Sequence, residues 1–210
     1  MSVVLYDFWR SSACYRVRIA LELKGIAYEA VTTDLTKGDQ RADAHVARNP
    51  QGFVPMLEID GLRLTQSLAI CDYLDAKVEA NPFVPSDAAA RSKVLAMALI
   101  IAADIHPLNN LRIMRYLEEP LGVPQPARDD WMRKWIADGF AALEVMAAEC
   151  GQYLSGEVPG LADICLVPQM YNARRFETDL TPYPMLVRID AALTALPVFA
   201  KAHPNAVRPA

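Results

Sequence analysis

Residues Val3-Val4-Leu5-Tyr6-Asp7-Phe8 are apolar, β-branched or aromatic except at one position, the pattern of a short buried strand. At residue 12 the period changes. Through residue 24, Ala13, Val17, Ala20 and Leu21 fall on one helical face, and Gly25 is placed to stop that helix. Ile26 to Val31 then read as a second strand. Strand, helix and strand in such quick succession leave few architectures open. The two strands must lie parallel in one sheet, joined by a right-handed crossover.

Lys37 to Arg48 are polar and read as irregular or weakly helical. "FVPMLEIDGLRLTQS" follows, two short strands around Asp60-Gly61, a dipeptide suited to a tight primed hairpin turn. Ser67 is expected to cap the next helix, "SLAICDYLDAK", with Leu68, Cys71 and Leu74 on its buried face. "NPFVPSD", residues 81–87, has two prolines and no periodicity, and is taken as a linker. Residues 88–118, 127–149, 161–176 and 184–196 are Ala- and Leu-rich and helical in pattern. The expectation is an α+β chain of two domains. A βαβ-ββα domain occupies 1–80, the linker 81–87, and an all-helical domain 88–210.

Composition removes several function classes. With 210 residues, 53% of them hydrophobic, the chain can bury a core. A formal charge of −4 with no long basic block argues against nucleic acid. Four cysteines without a C-x-x-C pair, and three histidines, offer little to a metal. No apolar run approaches 18 residues and no basic leader precedes the first strand, so a cytoplasmic protein with reduced thiols is expected.

Three features point to one ligand. Ser11-Ser12 at the first helix start admits two readings: an N-cap beside a surface arginine, or donors for an anion or thiolate at the carboxyl edge of the sheet. Pro55 interrupts a good strand and implies either an edge or a cis bond that turns the Val54 backbone outward, free to pair with an extended peptide. Gln66-Ser67 form a second anion-ready helix start. All three would meet at one edge of one small sheet.

The stretches "SSACYRVRIALELKGIAYE", "NPQGFVPMLEIDG", "LTQSLAICDYL", "DIHPLNNLRIMRYL" and "LADICLVPQMYNARRFETDLTPYP" together resemble the zeta class of glutathione transferases, in order and over nearly the whole chain. The resemblance implies a glutathione transferase fold with a thioredoxin-like first domain, a cis Pro55, a homodimer, and glutathione as cofactor. It assigns Ser11, with Ser12 beside it, to the glutathione sulfur, and Val54 to the cysteinyl backbone. Gln66 and Ser67 match the grip on the γ-glutamyl carboxylate and amine, Gln40 a loop contact, and His106 and Asn110 the border with the helical domain. Three positions depart from the pattern. Ala13 stands where many members have cysteine, with Cys14 about 100° away around the helix. Tyr15 replaces a tryptophan or histidine, and Gly160 a capping threonine.

The activity this resemblance implies is cis-trans isomerisation of a maleyl keto acid, maleylacetoacetate or maleylpyruvate, by reversible thiolate addition. Addition makes the double bond single, the bond rotates, and expulsion of sulfur restores a trans alkene. A dicarboxylate substrate needs cations, and Arg10 and Arg175 are the candidates because guanidinium pairs with carboxylate through two parallel bonds. Arg174 reads as solvated or salt-bridged, Arg16 and Arg18 as surface or structural, and His106 as kink-associated or catalytic. Other readings are a transferase acting on small α-halo acids, a non-catalytic binding module, and a thiol-disulfide oxidoreductase. The last is weakened by the absence of cysteine at Ser11 or Ser12.

Overall fold

The computed structural model describes residues 2–209, and its first strand, β1 (Val4–Asp7), leads into helix α1 (Ser12–Leu23) with Ser11 as N-cap. Gly25, at φ +65°, closes the helix. Its N–H donates to the Glu22 carbonyl at 3.1 Å and that of Ile26 to the Leu21 carbonyl at 3.0 Å, a Schellman pair. Those bonds occupy Ile26, so β2 runs Glu29–Thr32, later than the expected 26–31. It lies parallel to β1, with Glu29 opposite Val4, as the strand-helix-strand pattern requires.

After a 3-10 turn at Asp39–Arg41 and the short helix α2 (Asp43–Val46), β3 (Met56–Ile59) and β4 (Leu62–Thr65) form an antiparallel hairpin. Asp60 and Gly61 make its turn at φ +53° and +78°, both positive as a primed turn demands, which is why a glycine follows the aspartate. The Asp60 carboxylate also accepts from Tyr73 Oη and Lys77 Nζ, each at 2.6 Å, tying the turn to α3 (Ser67–Lys77). The sheet order is β2-β1-β3-β4, with β3 antiparallel to β1. Two details of α3 differ from expectation. Gln66, not Ser67, is its N-cap, because Ser67 already has helical geometry. Its buried face is Ser67, Ile70, Cys71 and Leu74, with Leu68 only half-buried.

By packing, the chain divides into two compact units. One takes the residues up to Phe83 together with those from Ala195 onward, and the other is Val84–Thr194. The C-terminal segment, with α10 (Pro197–Ala202) and α11 (Pro204–Val207), therefore sides with the sheet, although the sequence reading counted it with the helical domain. Two contacts explain why. Phe199 is fully buried, and Arg18 Nε donates to the Ala202 carbonyl at 3.0 Å. Packed by α3 and α10, α1 is buried from Cys14 to Leu21. Arg16 and Arg18 are interior residues. Arg18 makes two bonds to Asp7, at 2.6 and 2.9 Å, and one to the Trp9 carbonyl at 2.9 Å, so its charge is neutralised where it lies. Lys24 Nζ bonds Asp75 at 2.8 Å and the carbonyls of Val78, Ala80 and Asn81, and lies 4.3 Å from the Phe83 ring centroid. The start of the expected linker is thus fastened to this unit.

The second unit comprises α4 (Ala88–Leu99), a π-helical stretch at Ile100–Ile105, α5 (His106–Leu108), α6 (Leu111–Glu118), α7 (Gln125–Ala147), α8 (Leu161–Arg175) and α9 (Pro184–Thr194). The helical region expected over 88–118 is divided into several pieces. Pro107 lacks an N–H for the helical ladder, and Asn110 accepts the Arg112 N–H at 3.1 Å to start α6 afresh. Gly139 of α7 stands where any Cβ would collide with the Ile105 side chain. At the start of α8, Gly160 has no side chain to cap with. The fully buried Asp163 accepts instead from the N–H groups of Leu154, Ser155 and Gly160 at 2.9–3.1 Å, bracing the loop before the helix. Among the described residues no helix is long and apolar enough to cross a membrane.

Candidate active site

Ser11 sits in extended backbone (φ −69°, ψ 123°) at the mouth of α1, where its Oγ accepts the Cys14 N–H at 3.3 Å. A hydroxyl that accepts with a lone pair still has a proton to donate, so this half-buried serine can cap the helix and serve an anion together. Unpaired N–H groups and the helix dipole add to the same pull. Ser12 is the first helical residue. Cys14 is fully buried, and burial, with Asp7 nearby, pushes its thiol far above the ordinary cysteine range, so it stays protonated and inert. Arg10 is half-buried, with its guanidinium carbon 5.5 Å from the Trp9 ring centroid.

The segment before β3 is braced to expose one backbone unit. His45 Nε2 and Asn49 Nδ2 both donate to the Phe53 carbonyl at 2.8 Å, which requires the proton of His45 to be on Nε2. Gly52 has φ +62°, and a Cβ there would lie 3.0 Å from the Gln40 carbonyl oxygen, so only glycine fits. The Val54-Pro55 bond is cis. Val54 packs with Phe8 and Cys14, with Trp9 and Leu35 alongside. Among the described residues no hydrogen bond engages the Val54 backbone. Gln40, only 6% exposed, has an Oε1 without a hydrogen-bond partner.

At the mouth of α3, Gln66 holds φ +66° and ψ 113°, a conformation that costs a non-glycine residue about 1–3 kcal/mol and recurs at functional sites. Its side chain does not cap the helix. It reaches instead to Gln51, with Nε2 donating to Oε1 at 2.6 Å. Ser67 Oγ accepts from Arg16 Nη1 at 3.3 Å. With that lone pair engaged, the Ser67 proton is free to be donated away from Arg16, and a buried cation stands behind it. Arg16 is 2% exposed, and its Nε and Nη2 have no partner.

Contacts thus join the expected residues of the first unit. Val54 clusters with Phe8 and with Cys14, one turn from Ser11; Arg16 of α1 holds Ser67 of α3; Gln66 holds Gln51; and the Gln40 backbone abuts Gly52. His106, Asn110 and Arg175 belong to the second unit. His106 opens α5, and Asn110 caps α6. Trp131 Nε1 of α7 donates to the Leu108 carbonyl at 2.9 Å, and Arg133 of the same helix to that of Phe176 at 3.3 Å. Arg175 is exposed at the end of α8, stacked 4.4 Å from the Phe176 ring centroid, while Arg174 pairs with Asp190 at 2.6 Å.

A family model for the N-terminal domain of glutathione S-transferases matches residues 1–76. Maleylacetoacetate isomerase of Rhizobium meliloti is 47% identical over 208 residues, covering 98% of either chain. The holo structure of a maleyl pyruvate isomerase, a bacterial glutathione S-transferase of the zeta class, superposes with a TM-score of 0.96 at 43% identity over 99% of both chains. A maleylacetoacetate isomerase of Methylobacterium extorquens, crystallised with malonate and glutathione, gives 0.94 at 39% identity over 99% of this chain and 100% of its own. The chain belongs to the zeta class of glutathione transferases.

In this zeta-class chain the departing residues are all accommodated. Tyr15 is 1% exposed, with its ring edge-on to His203 at 6.0 Å and the Arg18 guanidinium 5.3 Å from its centroid, so it packs the C-terminal segment. Ala13 is half-buried and brings no thiol to the helix mouth. Sequence reasoning did not single out Gln51, Trp9 or the inward role of Arg16. Gln51 lies inside the quoted "NPQGFVP", where a second amide near Gln66 was the available signal. Nothing local marks Arg16, since its partner is 51 residues away.

Proposed function

We propose that this zeta-class chain is a glutathione-dependent cis-trans isomerase that converts a maleyl keto acid, maleylacetoacetate or maleylpyruvate, to its fumaryl product. One observation carries the proposal: in one unit Ser11 caps α1, Val54, with its backbone unengaged, clusters with Cys14 of that helix, and Arg16 of the same helix holds Ser67 at the strained start of α3. That arrangement suits a short peptide carrying a thiol at its middle and a charged head. When bound, glutathione supplies a thiolate that adds reversibly to the conjugated double bond.

The residues divide the remaining work. Ser11, with Ser12 beside it, donates to the sulfur and lowers the thiol pKa, helped by the α1 dipole. Val54 offers its N–H and C=O to the cysteinyl unit. Gln66 and Ser67 take the γ-glutamyl carboxylate and amine, and the unpartnered Gln40 Oε1 accepts a donor from the same ligand. The zeta-class pattern assigns His106 and Asn110 to the ligand as well. Arg10 and Arg175 hold the substrate carboxylates, and no base is required because the isomerisation leaves the proton count unchanged. Residues 1–80 carry the glutathione site; homodimer formation and a cytoplasmic location complete the proposal, supported by the relatives' full-length similarity.

Calorimetric titration with glutathione tests the cofactor site, with saturable binding at or below millimolar concentration expected. Its absence would leave a binding module without this ligand. Arg10→Met, at a half-buried position, is expected to lose about 2–5 kcal/mol of transition-state stabilisation with a dicarboxylate, as for a removed partner in a desolvated charge pair, and Arg175→Met, at an exposed one, less. With a neutral halonitrobenzene the loss should be small. Equal losses on both substrates would assign these arginines to the fold or to glutathione.

A further inference from the structure

Two arginines share one indole at this edge of the sheet. The guanidinium carbon of Arg10 lies 5.5 Å and that of Arg208 5.0 Å from the Trp9 ring centroid, and among the described residues neither is joined to an acid. Like charges gathered on one aromatic ring repel each other, which an arriving anion would relieve. The gathering is built in. Arg18 donates to the Trp9 carbonyl at 2.9 Å and to the Ala202 carbonyl at 3.0 Å, so one buried side chain fixes both Trp9 and the C-terminal segment that carries Arg208. Asp7 neutralises Arg18 itself, so of the three arginines gathered about Trp9 the two outer ones are without an acid among the described residues. Trp9 in turn packs beside Val54, Phe8 and Cys14, next to the proposed thiol position at Ser11.

We propose that Arg208 is a specificity residue for the dicarboxylate, acting with Arg10 across Trp9 as a two-cation reader for one end of the dianion. The proposal rests on the isomerase reading and deepens it. In a chain of net charge −4, the patch supplies the local positive potential a dianion needs, and a planar fork engages a carboxylate bidentately. The C-terminal segment thereby gains a chemical role beside its packing role. Arg208 is exposed, so its contribution is smaller than that of a buried pair and depends on salt.

The test compares wild type, Arg208→Met and Arg208→Lys by KM for the maleyl keto acid, by inhibition with malonate as a plain dicarboxylate probe, and by thermal midpoint. Arg208→Met is expected to raise both KM and the malonate inhibition constant about tenfold at low salt, with less change in kcat, and Arg208→Lys to recover part of the loss. The wild-type advantage should shrink as ionic strength rises. Unchanged KM and malonate inhibition in an active Arg208→Met protein would overturn the assignment, as would a lowered thermal midpoint with both constants intact, since that is packing alone. A wild type that binds glutathione but never isomerises the keto acid would instead overturn the isomerase reading beneath it.

Discussion

Ser11 serves two duties, and the two can be separated by experiment. Its Oγ caps α1 through the Cys14 N–H, so Ser11→Ala should cost about 0.5–2 kcal/mol of stability. It should also raise the thiol pKa of bound glutathione and slow turnover about 10²-fold, as removal of a positioned donor does elsewhere. Ser12→Ala should do less of both. Stopped-flow titration of bound thiolate absorbance, set beside a denaturation curve for each variant, checks this. An Ser11→Ala enzyme with an unshifted thiol pKa and full turnover would leave the helix mouth alone as activator. At this scale the sequence suggests roles where chemistry-bearing residues stand at element ends, as Ser11, Val54, Gln66 and Ser67 do. Arg16 and Arg18 resisted reading because their burial depends on partners 51 and 184 residues away.

Elements governed by local rules matched their reading. The Asp60-Gly61 turn and the Gly25 helix end follow from backbone preferences of a few residues. The second strand began late because the Schellman closure used up Ile26, and α10 and α11 escaped notice because segments this short carry too little periodicity. The π-helical stretch against α7 gives one element-scale expectation. Gly139→Ala places a Cβ into the Ile105 side chain, and overpacking of this kind costs about 1–3 kcal/mol. A urea midpoint equal to wild type would mean that the stretch yields freely. A second expectation concerns α11, whose first N–H groups are capped by His203 Nδ1 accepting from Asn205 at 3.1 Å. Burial, reinforced by the Arg18 charge, lowers the His203 pKa, so the unfolded chain takes up the proton first. The stability His203 contributes is therefore complete above about pH 6.5 and is lost as pH falls through that value toward the lower folded one. His203→Asn should flatten the decline of the unfolding midpoint between pH 7 and 5. An unchanged slope would show that other groups set it.

Over the whole molecule, the α+β plan of a small mixed sheet followed by helices was legible because the change from period two to period 3.6 runs consistently along the chain. The final residues were misassigned for a physical reason: a segment's helical pattern says that it buries a face, but not against what. Here Phe199 and the Arg18 to Ala202 bond settle it in favour of the sheet unit, next to Trp9. A glutathione-dependent isomerase needs glutathione but does not use it up. The direct measurement follows a maleyl keto acid by absorbance and product analysis with purified protein, with and without glutathione, while titrating total free thiol. The fumaryl isomer should form at a rate that saturates with glutathione, with thiol concentration constant to the end of the reaction. Isomerisation at the same rate without glutathione, or loss of one thiol per substrate consumed, would contradict it.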